Sequence, residues 1–341
     1  MKVAVIGFGA IGGVVVGALR DKGIDVVVVG KPEQKQTIEN DGFIVEGFKG
    51  RSLYYVDVKL RLEEKVDLVI LTVKTQNLRD VVEMSREFLI GPLILSTQNG
   101  VRSDTLLKMM LGEENLISSI VMFGATYVPH NKVVHNFEGN WLIGRPFGPN
   151  DEKVKQVAEF LKQALDVVEV ENISAMKWTK IFVNSSNCLP ALVGKSMQET
   201  YANLDMCKLA LRILKEGFEI VKTLGVELPN LPDFEIDKLK GLTQMGIDEA
   251  APIFSSIMTN LSKEPLYGSI LQSIQRGKLT EIDYINGELA NQARLHNLSA
   301  RLNTRVTELV HAVETKKTFL TFEEVLSEIE KTSKLEKEDF F

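Results

Sequence analysis

The sequence predicts an α/β protein in two parts: a doubly wound parallel-sheet domain followed by an all-helical C-terminal domain. Three observations carry this. Short apolar runs alternate with helical patterns from Met1 to about Glu171. A glycine-rich turn, GFGAIG, separates the first such run from a helical one. After Asn172 the apolar period becomes that of helices and stays there. The expected domains are 1–171 and 172–330, with 331–341 as a frayed tail rich in charge.

The runs KVAVIG, DVVVVG, DLVILTV, LILSTQ and LISSIVMF are dominated by Val, Ile and Leu without polar alternation. Parallel strands covered by helices on both faces read this way. YVPHNKVVHNFEGNWLIGRP differs, with turn residues between short alternating runs, and predicts a β-meander closing the first domain. DVVEVEN reads as its last strand. In the second part, helical patterns are expected over about 174–200, 203–225, 246–275, 280–297 and 303–315, with breaks such as GVELPNLPD between them.

Bulk properties exclude several function classes. A chain of 341 residues with net charge −6 has no broad basic field, so nucleic acid is not expected as a partner. No run of about 18 apolar residues suggests a membrane span. The start MKVAVIGFGAIG lacks the features of a secretion signal. Two cysteines make no disulfide framework, and four scattered histidines offer no metal-ligand spacing. A cytoplasmic protein without a metal is the expectation.

The turn Gly7-Phe8-Gly9-Ala10-Ile11-Gly12 has GxGxxG spacing between a buried strand and a helix, the setting of a Rossmann-type dinucleotide site. Gly7 allows the tight turn. Gly9 lets a pyrophosphate approach the backbone, and Gly12 lets helix and strand pack closely. The helix N-terminus offers unpaired N–H groups to the anion. The second strand ends at Gly30-Lys31-Pro32-Glu33, where an NAD site usually carries an acid for the ribose. A lysine there favours a 2′-phosphate, hence NADP; Glu33 keeps NAD open. Lys74 and Asn99 follow parallel strands directly, and the carboxyl ends of such strands face the ligand. Lys74 suits a ribose or phosphate, Asn99 both nicotinamide and substrate.

The stretch KWTKIFVNSSNCLP places a polar stripe on an apolar helix. Lys180 and Asn184 share a face. On an ideal helix Asn187 falls about 20° from Lys180, Lys177 about 60° and Cys188 about 80°. Lys180 could be a buried proton donor with a lowered pKa or an ordinary exposed lysine. Further on, Thr280 reads as an N-cap with Asp283 in an approximate capping box, which puts Glu281 in a first helical turn.

Together GFGAIG, VKT at Lys74, QNG at Asn99, the Lys180–Asn184 spacing, and Ser269 followed by EIDYINGEL resemble the ketopantoate reductase (2-dehydropantoate 2-reductase) family from Met1 to about Glu314. The resemblance implies a Rossmann domain, a helical domain and a homodimer. It also implies NADPH-dependent reduction of ketopantoate to D-pantoate, a step towards pantothenate and coenzyme A. Lys180 would be the general acid and Glu281 would anchor cofactor or substrate beside it. Asn184 would bind the substrate hydroxyl, Ser269 the carboxylate, and Thr126 would lie at the nicotinamide. Lys31 stands where the family usually has an arginine. There are departures. Cys188 occupies a position that is usually Asn, preceded here by Asn187, a possible substitute. Leu266 replaces another usual Asn, and Arg301 a proline. These changes point to an alternative within the family: a D-2-hydroxyacid dehydrogenase acting on another bulky 2-oxo acid. A non-catalytic NADP-binding sensor is the reading from a different class.

Overall fold

A computed structural model describes residues 1–129 and 131–338. Residue contacts divide the chain into two compact units, Met1–Lys177 and the remainder from Trp178. The change in composition at 171/172 falls at the start of the helix Ile173–Ser185, and the division by contacts falls inside that helix.

The first unit carries twelve strands among the described residues: β1 (Val3–Ile6), β2 (Val26–Val29), β3 (Phe43–Gly47), β4 (Gly50–Tyr54), β5 (Val58–Lys59), β6 (Leu68–Leu71), β7 (Leu93–Ser96), β8 (Leu116–Val121), β9 (Gly124–Val128), β10 (Lys132–Phe137), β11 (Trp141–Gly144) and β12 (Val167–Glu169). Eight of them form the main sheet in the order β12-β11-β8-β7-β6-β1-β2-β5. Its pairs are parallel except β11 with β8. Apolar side chains alternate between two cores. Val3, Val5, Leu68 and Ile70 pack into one, Ala4, Ile6, Val69 and Leu71 into the other. This alternation is why the strands read as unbroken apolar runs. The doubly wound sheet is therefore as the sequence predicts.

The meander is not. β9 and β10 form an antiparallel pair, but β10 also pairs in parallel with β3, giving a separate sheet in the order β4-β3-β10-β9. β11 leaves this sheet for the main one. The hairpin was local and readable; its pairing with a strand far earlier in the chain was not.

The second unit is helical among its described residues; two of the expected helices are broken into shorter ones, and Ile236–Gln244 is a helix the periodicity does not suggest. The stretch 174–200 splits into Ile173–Ser185, Cys188–Val193 and Met197–Tyr201. The stretch 246–275 splits into Ile247–Thr259 and Ser269–Gln275 around Pro265 and Gly268. Leu204–Thr223 runs unbroken, with Asn203 capping it by accepting from the Asp205 and Met206 amides at 2.9 and 3.2 Å. Phe182 stacks on Phe218 of this helix with centroids 4.2 Å apart. The last helix, Phe322–Glu338, covers 331–338, where a frayed tail is expected from the sequence; 339–341 lie outside the described residues. Its Val325 and Ile329 are buried. Among the described residues, no helix is long and apolar enough to cross a membrane and no metal-binding cluster occurs.

Candidate active site

In the first unit the glycine turn is fixed by sterics. Gly7 has φ +111°, and a side chain there would meet the Val73 backbone nitrogen at 2.7 Å. At Gly12 a Cβ would lie 2.1 Å from the Gly7 carbonyl oxygen. Only glycine fits either place. Gly9 is different: a Cβ there meets nothing within 4 Å. Its missing side chain leaves open the space over the N-terminus of the helix Ala10–Asp21, where an anion would be held. Phe8 is buried, while Ala10 and Ile11 are part-exposed at the helix start.

Three loops converge on this turn. Thr72, at the end of β6, donates through Oγ1 to the Gly7 carbonyl at 2.6 Å. Lys74 follows and precedes the short 3-10 turn Thr75–Asn77. Asn99 follows β7, and its carbonyl accepts from Thr75 Oγ1 at 3.4 Å. Buried Gln98 donates to the Leu71 and Val73 carbonyls, each at 2.8 Å, which ties these two loops together. Lys31 is exposed just past the end of β2. Its amide donates to Gln34 Oε1 at 2.9 Å, and Gln34 Nε2 donates to the Phe8 carbonyl and to Tyr127 Oη. The turn, Lys31, Lys74 and Asn99 thus form one connected edge. Thr126 lies on β9 with its hydroxyl accepting from Asn136 at 3.0 Å. Strand alternation turns it to the face opposite Tyr127. Residues 7–12, with open space at Gly9 over a helix N-terminus, fit the pyrophosphate of a nicotinamide dinucleotide. Thr72, Gln98 and Gln34 escaped the sequence reading, because nothing in a single sequence marks a residue whose task is to hold a neighbouring loop.

The stretch KWTKIFVNSSNCLP resolves into two different lysines. Lys177 is buried, with Nζ 2.8 Å from Asp104 Oδ2, 3.0 Å from Ser118 Oγ and 3.3 Å from Ser103 Oγ. It belongs to the core of the first unit. Lys180, in the second unit, is part-buried as a whole, yet desolvation pushes its pKa down to about 8. An ammonium with that pKa gives up its proton near neutral pH. Asn184 lies one turn further on. Asn187 does not share this helical phase, because the helix ends at Ser185. The Asn187 amide donates to the Asn184 carbonyl at 2.9 Å across a tighter turn, and Asn187 precedes the next helix. Its side chain instead packs at Gly268, where a Cβ would meet Asn187 Cγ at 3.0 Å. That places Asn187 beside Ser269, an exposed residue at the start of the helix Ser269–Gln275. Cys188 is buried and its thiol pKa is pushed up to about 12 by burial, so the thiol stays protonated and inert.

Thr280 does not begin an α-helix. Its hydroxyl accepts from the Ile282 amide at 3.2 Å, and a 3-10 turn, Ile282–Tyr284, follows before the helix Asn286–Leu295. Part-buried Glu281 therefore sits in a tight turn, its carbonyl accepting from Tyr284 at 3.0 Å. The expected capping box does not form, because the segment IDYI folds too tightly for an α-helical first turn.

Residues 3–146 match the family model of ketopantoate reductase PanE/ApbA, and residues 172–314 match that of its C-terminal domain. The chain belongs to the ketopantoate reductase family. Family members are oxidoreductases, and the chain is an enzyme of that class. Similar proteins include a 2-dehydropantoate 2-reductase of Pyrococcus horikoshii, 31% identical across 92% of this chain and 98% of the relative. Another from Pyrococcus abyssi is 27% identical across the same shares. Among solved structures, a family ketopantoate reductase from Ralstonia eutropha superimposes with TM-score 0.77 at 23% identity, covering 93% of this chain and 99% of that one. D-mandelate dehydrogenase with NADH and anilino(oxo)acetate superimposes with TM-score 0.80, also at 23% identity, over 93% and 99% of the two chains. These structures share the fold: a Rossmann-type domain followed by a helical one.

Proposed function

We propose that the chain reduces 2-dehydropantoate (ketopantoate) to D-pantoate with NADPH, a step towards pantothenate and coenzyme A. The observation that carries this reading is the match to relatives named 2-dehydropantoate 2-reductase along nearly their whole length. Lys180, desolvated to a pKa of about 8, supplies a proton donor suited to the chemistry. NADPH supplies the hydride when bound. Residues 7–12 cradle its pyrophosphate, Lys31 meets the 2′-phosphate, and Lys74, Asn99 and Thr126 contact the rest. As the C2 carbonyl carbon gains the hydride, its oxygen takes a proton from the Lys180 ammonium, and the neutral amine recovers a proton from water. Asn184 orients the substrate hydroxyl, Ser269 with Asn187 the carboxylate, Asn99 the carbonyl region, and Glu281 anchors the ligands beside the lysine. The enzyme is a cytoplasmic homodimer in this reading.

A second reading is a D-2-hydroxyacid dehydrogenase for another bulky 2-oxo acid. Buried Cys188 and part-buried Leu266, apolar where the resemblance leads one to expect Asn, favour it. The structural likeness to D-mandelate dehydrogenase is consistent with it through the fold. NADPH oxidation measured across a panel of 2-oxo acids separates the two. The first reading expects the highest kcat/KM with ketopantoate. Turnover of ketopantoate no better than that of phenylglyoxylate or branched 2-oxo acids would overturn it. No turnover with any acid, despite NADPH binding, would favour a sensor.

A further inference from the structure

The helix Arg301–Lys316 presents His311 to two acids at once. Nε2 lies 2.9 Å from Asp283 Oδ1, and Nδ1 lies 2.9 Å from Glu314 Oε2. An ionised carboxylate only accepts, so each ring nitrogen must donate; a neutral imidazole carries a single N–H. The arrangement therefore calls for an imidazolium. Glu314 is 7% exposed, and its other oxygen accepts from the Thr280 amide at 2.7 Å. Asp283 belongs to the 3-10 turn Ile282–Tyr284. Glu281 is thus bracketed: the residue before it is tied to Glu314, and the turn after it is tied through Asp283 to His311.

We propose that His311 is a positioning residue, an imidazolium latch that fixes the backbone of Thr280–Tyr284 and thereby the carboxylate of Glu281. This rests on the role assigned to Glu281 above. The charged groups facing the ring are Asp283 from the turn and Glu314 from its own helix. Several titratable groups on the other elements packed against this helix have partners of their own. Glu216 accepts from the Leu302 and Asn303 amides, Glu288 accepts from Gln292, Glu328 pairs with Arg305, and Cys188 is held neutral by burial. Burial alone would lower the pKa of the ring, but the bonds to Asp283 and Glu314 outweigh it and raise it above 6.5. Glu314 is shifted the other way: burial opposes its charge, and Thr280 and His311 more than compensate. The contribution of His311 is complete below about pH 6.5 and is lost as pH rises through the raised value. That of Glu314 is complete above about pH 4.3 and is lost as pH falls through the lowered one. The latch is complete between about pH 4.3 and 6.5, weakening above as the ring loses its proton and below as Glu314 gains one.

The test combines NMR titration of the His311 ring in the full chain, hydrogen exchange at the Thr280 and Ile282 amides, and kcat for NADPH-dependent reduction. The ring is expected to titrate above 6.5. In His311→Gln, exchange at both amides should quicken and kcat at pH 7 should fall about tenfold, the scale of one bond to a charged group. His311→Arg, which keeps a cation with several donors, should recover most of both. Glu314→Gln serves as the second variant should His311→Gln fold poorly, with the same expectations for exchange and kcat. A ring that titrates at or below 6.5, or a folded Gln variant with unchanged exchange, overturns the latch. A loss that Arg fails to restore also overturns it. Glu281→Gln, measured alongside, separates the two readings: a normal kcat there removes the assigned role of Glu281, while exchange still judges the latch.

Discussion

The glycine turn and the polar face of the helical unit are built by opposite means. At the turn, backbone does the work. Gly7 and Gly12 are filled by the protein itself, Gly9 is left open, and the six residues are contiguous. In the helical unit, the proposed site relies on side chains, and these lie on the helix Ile173–Ser185, the turn before Cys188, the start of Ser269–Gln275 and the 3-10 segment at Glu281. A site made by local spacing leaves a pattern in the sequence. A site assembled from separated turns depends on where each helix stops. The same contrast holds for two lysines in one helix: Lys177 is sealed in an ion pair, and Lys180 is desolvated to a pKa of about 8.

That contrast can be broken by substitution. The largest effect on stability is expected at Lys177→Ala. It leaves Asp104 buried without its cation, while Asp104 Oδ1 already has no hydrogen-bond partner. Stability should fall by about 3–5 kcal/mol, measured by denaturant unfolding. A loss under about 1 kcal/mol would show the pair to be dispensable. Next comes Gly12→Ala, whose Cβ would collide with the Gly7 carbonyl at 2.1 Å. A cost of about 1–3 kcal/mol is expected from forcing an atom into filled space. Gly9→Ala should do the reverse, leaving the melting temperature near that of the parent and weakening NADPH binding by about tenfold, because the added methyl meets no protein atom and stands where the pyrophosphate is proposed to lie. If Gly9→Ala binds NADPH normally, the open space is not where the cofactor lies. The smallest effect is expected at exposed Lys31: Lys31→Ala should reduce the preference for NADPH over NADH by roughly three- to tenfold in titrations of both cofactors. Equal affinities in the parent would remove Lys31 from cofactor choice.

How much was legible follows from the same distinction. The parallel strands declared themselves because both faces of each are buried, and the GxGxxG turn because its constraints are local. The second sheet was hidden, since β3 and β10 pair across most of the unit. An ideal helix puts Asn187 in phase with Lys180, but the chain breaks that helix after Ser185. Thr280 has the composition of a cap, yet its amide is tied to Glu314, far along the chain. His311 carried no signal at all, since a histidine near the end of an amphipathic helix reads as a favourable charge on the dipole. Periodicity tells which residues share a face only while the helix lasts.

The central claim is that Lys180 is the proton donor, and the pH dependence of kcat for 2-oxo acid reduction, in the parent and in Lys180→Ala, tests it most directly. A general acid works in its protonated form, so the parent kcat should be level below its pKa and decline as pH rises through about 8. Lys180→Ala should lose about two to four orders of magnitude in kcat and lack that inflexion, with NADPH affinity nearly kept. An unchanged kcat in the variant, or the same inflexion persisting without the lysine, would contradict the account.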